Sequence, residues 1–247
     1  MPRVTTVAQD SSLATGMQAL IQSVWPVYML HSEAAKAYWD RLFTDFPEYQ
    51  LALVDDTGRL MGMGSSIPVA WQGSEWGTLP DEGWDWAISQ GFVDREAERE
   101  PTLHCAFFIG IDGSLQGQGL STEVLLALKS MGAKMGFPAT VIPLRPMLKP
   151  RYPLMDITQY AAWRRDDGQY FDPWLRVHER VGGFVAGVAR RSKIIAASRS
   201  QWEEWLHMAL PFTGHYVIPG ALAPLEVDRE AGQAVYTEPN IWMVHRN

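Results

Sequence analysis

One nine-residue run limits what this chain can fold into. Leu103–Ile111 (Leu-His-Cys-Ala-Phe-Phe-Ile-Gly-Ile) is almost wholly apolar. A strand of that pattern needs cover on both faces, which places it inside a sheet flanked by helices. Asp112-Gly113-Ser114 ends the run, and Leu115-Gln116-Gly117-Gln118-Gly119-Leu120-Ser121 follows. A helix is expected from about Ser121 to Met135, with Val124, Leu125, Leu128, Met131 and Met135 near helical spacing. Gly136 stops it. Ala139–Leu144 reads as a second strand, interrupted by prolines at 143 and 146. Strand, glycine loop, helix and strand make this an α/β (α+β) chain.

A glycine turn that opens a helix exposes backbone N–H groups, because the first helical turn leaves four of them unpaired. The helix dipole adds a preference for negative charge at that end. Gly117 and Gly119 remove Cβ atoms, so phosphate oxygens can approach. The same loop can be a structural turn, which is the commoner case for such a loop taken alone. It is not a P-loop, since no Gly-Lys-Ser or Gly-Lys-Thr follows, and it lacks the three spaced glycines of a dinucleotide fingerprint.

The remaining chain supplies flanking elements. Residues 1–10 read as a short strand or arm. A helix is expected over about 13–30, with a break or bend at Pro26, and another over Ser32–Phe43 with Ser32 as N-cap. Tyr49–Val54 and Arg59–Val69 form a hairpin around Asp55-Asp56-Thr57-Gly58. Gly62 and Gly64 in its second arm point to a weak strand, a bulge or a close neighbour. A short helix is expected near Trp84–Gly91, followed by a solvated charged stretch, Asp94–Glu100; this Trp-rich segment reads as plain packing or as a cover over a ligand. Helices are also expected at Asp156–Arg165, 172–182 and Gln201–Met208. Strands are expected at Phe184–Ala189 and Lys193–Ala197, joined by a basic turn, and at Tyr216–Val227 and Ala234–Val244. No internal repeat or linker-like tract appears, so residues 1–247 read as one domain, with 201–247 as a C-terminal elaboration.

Composition narrows the class. The formal charge of -7 disfavours nucleic acid as a partner. Cys105 is alone, which forbids an internal disulfide and fits a reducing compartment. The six histidines are scattered, and no metal site is expected. No apolar stretch approaches the roughly 20 residues that span a bilayer, so neither a membrane partner nor a targeting segment is expected and a cytoplasmic location is the default. Exposed tryptophans among the 11, or unpaired C-terminal strand edges, would support a homodimer.

The order of elements resembles the GCN5-related N-acetyltransferase (GNAT) superfamily: two N-terminal helices, a hairpin, a long strand, a glycine loop, a helix and a diverging strand. The resemblance covers roughly residues 4–200. It implies a mixed central sheet splayed between its fourth and fifth strands, with acetyl-CoA or another acyl-CoA in the gap as cosubstrate. That family's pyrophosphate loop, Q/R-x-x-G-x-G/A, is matched by Ser114-Leu115-Gln116-Gly117-Gln118-Gly119, with Ser114 where Gln or Arg is usual. The resemblance therefore assigns cofactor contacts to Leu115, Gln116, Gly117, Gln118, Gly119, Leu120 and Ser121. A backbone amide near Phe108, Ile109 or Gly110 would accommodate the thioester carbonyl.

The proton chemistry is less defined. The family often uses a Glu in the fourth strand as base; this strand has none, and His104 is its only conventional base. For the acid that meets the leaving thiolate, the resemblance points to Tyr152 or Tyr160 after the fifth strand, or to His178 in the later helix, where a Tyr is usual. Arg145, Lys149 and Arg151 are candidates to meet phosphate or an acidic acceptor, against the alternative of a solvated surface. Two functions compete: an N-acyltransferase acting on a small-molecule or peptide amine by direct transfer, and a noncatalytic acyl-CoA-binding or interaction module. A base beside the splay separates them.

Overall fold

The strand Leu103–Ile111 lies inside the sheet, with a neighbour on each side. The computed structural model describes residues 2–247. In chain order the elements are β1 (Arg3–Thr6), α1 (Leu13–Val24), α2 (Glu33–Tyr38), α3 (Leu42–Asp45), β2 (Gln50–Val54), β3 (Leu60–Val69), α4 (Gly83–Glu96) and β4 (Leu103–Ile111). There follow α5 (Leu120–Lys134), β5 (Ala139–Leu144), α6 (Ile157–Ala162), α7 (Pro173–Arg180), β6 (Phe184–Ser198), α8 (Arg199–Leu206), β7 (Gly214–Tyr216), β8 (Leu225–Asp228) and β9 (Gln233–Arg246). The sheet order is β1-β2-β3-β4-β5-β9-β8-β7, with β6 on the other edge of β9. Among the described residues only β4 and β5 run parallel; every other pairing is antiparallel.

Strand alternation divides the core into two layers. Ala52 and Val54 face the layer of α1–α4, while Leu51 and Leu53 face α5–α7. Gly62 and Gly64 mark close approaches. A Cβ on Gly64 would lie 2.7 Å from the Leu128 side chain of α5, and one on Gly62 would lie 2.6 Å from Ile111. A third cluster, around Tyr28, Trp202, Leu225 and Tyr236, seals the C-terminal strands. Trp202 is buried there, donating from Nε1 to the Ala234 carbonyl at 3.1 Å, and Trp205 stacks on His31.

Several expected boundaries shift, each for a visible reason. The first helix stops at Val24, because Pro26 cannot continue it. The expected helix Ser32–Phe43 is two short ones, with Ser32 capping the first through the Ala35 N–H. The charged stretch after Gly91 is helical as far as Glu96, and its Asp94 is buried, accepting from Ala70 N–H, Gln90 and Arg99. Phe184–Ala189 and Lys193–Ala197 are not two strands: they are one strand, β6, whose register against β9 shifts between Ala189 and Lys193. Tyr216–Val227 divides into β7 and β8. Strand β9 joins the halves of the molecule, since residues 241–246 pair with β5 and residues 233–236 pair with β8.

Candidate functional site

The splay follows from how little β4 and β5 share. Their ladder comprises His104 opposite Thr140 and Cys105 opposite Val141. Past that point Pro143 has no N–H to give, and β4 carries a bulge. Ser65 faces Phe108 and Ser66 faces Ala106, so Phe107 is the extra residue. Phe107 and Phe108 therefore both pack into the α1–α4 layer. The indole Nε1–H of Trp84 donates to the Phe107 carbonyl at 3.1 Å and holds the bulge.

A cavity of about 560 Å³ occupies the gap. Its walls are Ala106–Ile109 and Ile111 of β4, residues 142–145 at the end of β5, and Trp174, Val177 and His178 of α7. At one end lie Leu115, Gln116, Gly117, Gly119, Leu120, Ser121 and Thr122. Gly119 is the N-cap of α5 at φ 81°, and Gly117 has φ 78°. Side chains rarely adopt these left-handed conformations, and the space where a Cβ would sit is open in both cases. The α5 amides are thus presented to an uncrowded cradle, which fits a pyrophosphate.

At the other end the cavity meets a buried polar cluster. Glu238 of β9 accepts from Arg145 Nε at 3.0 Å, from the Tyr236 hydroxyl at 2.8 Å and from Asn240 Nδ2 at 3.4 Å. Arg145 also donates to the Gly220 carbonyl. Asn240 accepts from Ser192 in the β6 bulge, and Ser192 in turn accepts the Trp84 backbone N–H. Lys193 is fully buried; its Nζ donates to Ser32 Oγ at 2.9 Å, lies 3.5 Å from Asp85 and sits 3.2 Å from the Trp84 ring centroid. Burial pushes the Lys193 ammonium down to about 8, against the pull of Asp85 and Glu238. Burial likewise pushes the Asp85 carboxyl up, opposed by Lys193.

The residues singled out from sequence divide between this cavity and the core. Phe108, Ile109, Leu115, Gln116, Gly117, Gly119, Leu120 and Ser121 line it; Gly110 and Gln118 do not. His178 lines it, and its Nδ1 lies 2.9 Å from His245 Nε2. Burial, then His245 and Lys129, hold His178 well below the usual histidine range, so it is neutral. His104 is away from the cavity, fully buried, bonded through Nδ1 to Thr140 Oγ1 at 3.1 Å, and pushed down to about 3 by burial. Tyr160 is a satisfied core hydroxyl, donating to Asp172 at 2.8 Å, with burial and that carboxylate raising its phenol. Tyr152 packs edge-on against Trp163 and Phe171. Lys149 is also turned inward, its Nζ donating to the carbonyls of Tyr152 and Leu222.

Sequence reasoning missed Lys193, Glu238 and Asn240, which come from strands distant in the chain. The available signal was a charged residue directly before Ile194-Ile195, and the polar Glu238-Pro239-Asn240 directly before the apolar run Ile241–Val244.

No protein-family model matches the chain. A curated relative, the arginine N-acetyltransferase avaD of Aspergillus versicolor, is 31% identical over 253 residues, covering 91% of this chain and 86% of the relative. The loading GNATL domain of CurA from Lyngbya majuscula superposes with a TM-score of 0.63 at 13% identity, covering 100% of this chain and 98% of that one. The GphF GNAT-like decarboxylase, solved in complex with isobutyryl-CoA, superposes with a TM-score of 0.61 at 15% identity, covering 99% and 98%. The two structures bear on the fold alone. The chain belongs to the GCN5-related N-acetyltransferase superfamily of acyl-CoA-dependent acyltransferases. Among the described residues no helix is long and apolar enough to cross a membrane.

Proposed function

We propose that this chain transfers an acetyl or other acyl group from acyl-CoA to the amino group of a small cationic acceptor by direct attack on the thioester. The observation that carries this reading is the continuity of one cavity. It runs from the α5 amides, along the bulged β4 backbone, to the cluster around Glu238 and Lys193. Pyrophosphate belongs at the first end, where unpaired N–H groups and the helix dipole favour anions. The thioester belongs beside the opened edge of β4, where a fixed backbone donor meets the charge that develops on its oxygen. The acceptor belongs at the polar end, where the carboxylates of Glu238 and Asp85 flank Lys193. His178, neutral and on the α7 wall, is the candidate hydrogen-bond partner for the leaving thiolate.

The cavity carboxylate and the arginine acceptor named for the relative together put arginine-like amines at the head of the candidates. The test is a screen with acetyl-CoA and L-arginine, a polyamine, an arylalkylamine and an N-terminal peptide. Free thiol release and the mass of the acyl product are followed. We expect amine-dependent release with at least one basic acceptor, and a raised KM for it in Glu238→Gln. Acetyl-CoA binding without amine-dependent turnover would overturn the reading.

A further inference from the structure

The cavity contains a buried amine that the acyl-transfer reading leaves without a task. We infer that Lys193 takes the proton from the acceptor's ammonium group. This rests on the acyl-transfer reading above and assigns the base that β4 does not supply.

Lys193 stands where β6 shifts register against β9, and it is joined to the β4 bulge through a single side chain: Trp84 packs under its Nζ and donates to the Phe107 carbonyl. A proton acceptor here and the bulged backbone that would face the thioester are therefore held by the same indole. Nζ has three donor positions when charged. Ser32 and Asp85 lie at two of them, and no described hydrogen bond takes the third.

The surroundings allow both protonation states. From α4 come Asp85 and the Trp84 ring; from the turn before α2 comes Ser32; from the end of α1 comes the Trp25 ring at 5.6 Å. From β9 come Glu238 and Asn240, with Arg145 and the hydroxyls of Tyr28 and Tyr236 behind Glu238. Asp85, Glu238 and the rings favour the ammonium, whereas burial opposes it and is the largest influence. Glu238 is a poorer candidate for the task, because its oxygens already accept from Arg145, Tyr236 and Asn240.

The step balances. The acceptor ammonium gives one proton to neutral Lys193, and its freed electron pair forms the C–N bond at the thioester carbon. The C–S bond breaks with its electrons going to sulfur. The second nitrogen proton goes to the thiolate, giving the amide and free CoA thiol. Lys193 then releases its proton to solvent.

The test compares wild type, Lys193→Arg and Lys193→Met, using kcat at saturating acceptor between pH 6 and 10. Kcat reports groups in the bound complex, so titration of the free acceptor does not enter. In wild type kcat should rise with pH and level off above about 8. Arginine keeps the cation but cannot deprotonate. Lys193→Arg should therefore bind acetyl-CoA normally, lose kcat at pH 8 by roughly 100-fold or more, and lose the rising limb. Lys193→Met should lose the same limb if it folds. Near-wild-type kcat with an unchanged limb in Lys193→Arg would overturn the inference and leave acyl transfer standing. No amine-dependent turnover in wild type would overturn both.

Discussion

Trp84 and Phe107 are linked by a hydrogen bond of 3.1 Å from the indole Nε1 to a strand carbonyl. That carbonyl belongs to the residue that bulges out of the β3–β4 ladder, where an ordinary strand partner is missing. The same indole ring lies under Lys193. One side chain thus fixes the open edge of the cleft and the charge beside it.

Replacing Trp84 with Phe removes the donor and leaves a buried carbonyl unpaired. The expected loss of stability is about 2 kcal/mol, read from urea unfolding. Turnover should fall more than acetyl-CoA affinity does, because the phosphate end of the cavity is untouched.

The Arg145–Glu238 pair yields a second expectation. Only 2% of the Glu238 side chain is exposed. Arg145→Met would strand that charge and cost about 3 kcal/mol. Adding Glu238→Gln to the same chain removes the stranded charge and should recover most of the loss. Equal stability of the single and double variants would contradict the stranded-charge argument.

Acid stability depends on the buried histidines. His104 is held down to about 3 and His245 to about 4, both by burial, the latter also by Lys129. Between pH 6.5 and these values the unfolded chain binds protons that the folded chain refuses, so stability falls as pH falls. For His104 alone the loss at pH 4 is about 3 kcal/mol. His104→Gln should flatten the fall in unfolding free energy between pH 6.5 and 4 relative to wild type; an unchanged slope would contradict the burial argument.

Much of the frame was legible in the sequence because its signals are local. The apolar run of β4, the Gly117 and Gly119 spacing and the start of α5 sit within twenty residues of one another. The helix over 172–182 was legible, but the two tasks of its N-cap were not: Asp172 caps α7 and also accepts the Tyr160 hydroxyl, which makes that phenol a core group rather than a cleft group. The acceptor end was not legible. Lys193 reaches the cavity only because β6 bulges, and Glu238 only because β9 lies between β5 and β6. Neither relation leaves a short motif. His104, chosen as the one basic group in β4, is buried beside Thr140 away from the cavity, so strand membership alone did not indicate access.

Calorimetric titration with acetyl-CoA and free CoA reads out whether an acyl-CoA lies across the splay with its phosphates on the loop before α5. Binding near one-to-one is expected for both. Gly119→Glu should weaken both, since a carboxylate would enter the phosphate cradle at a position whose φ of 81° already disfavours a side chain. A folded wild-type protein that binds neither ligand, or a folded Gly119→Glu protein that binds them as tightly as wild type, would contradict that placement.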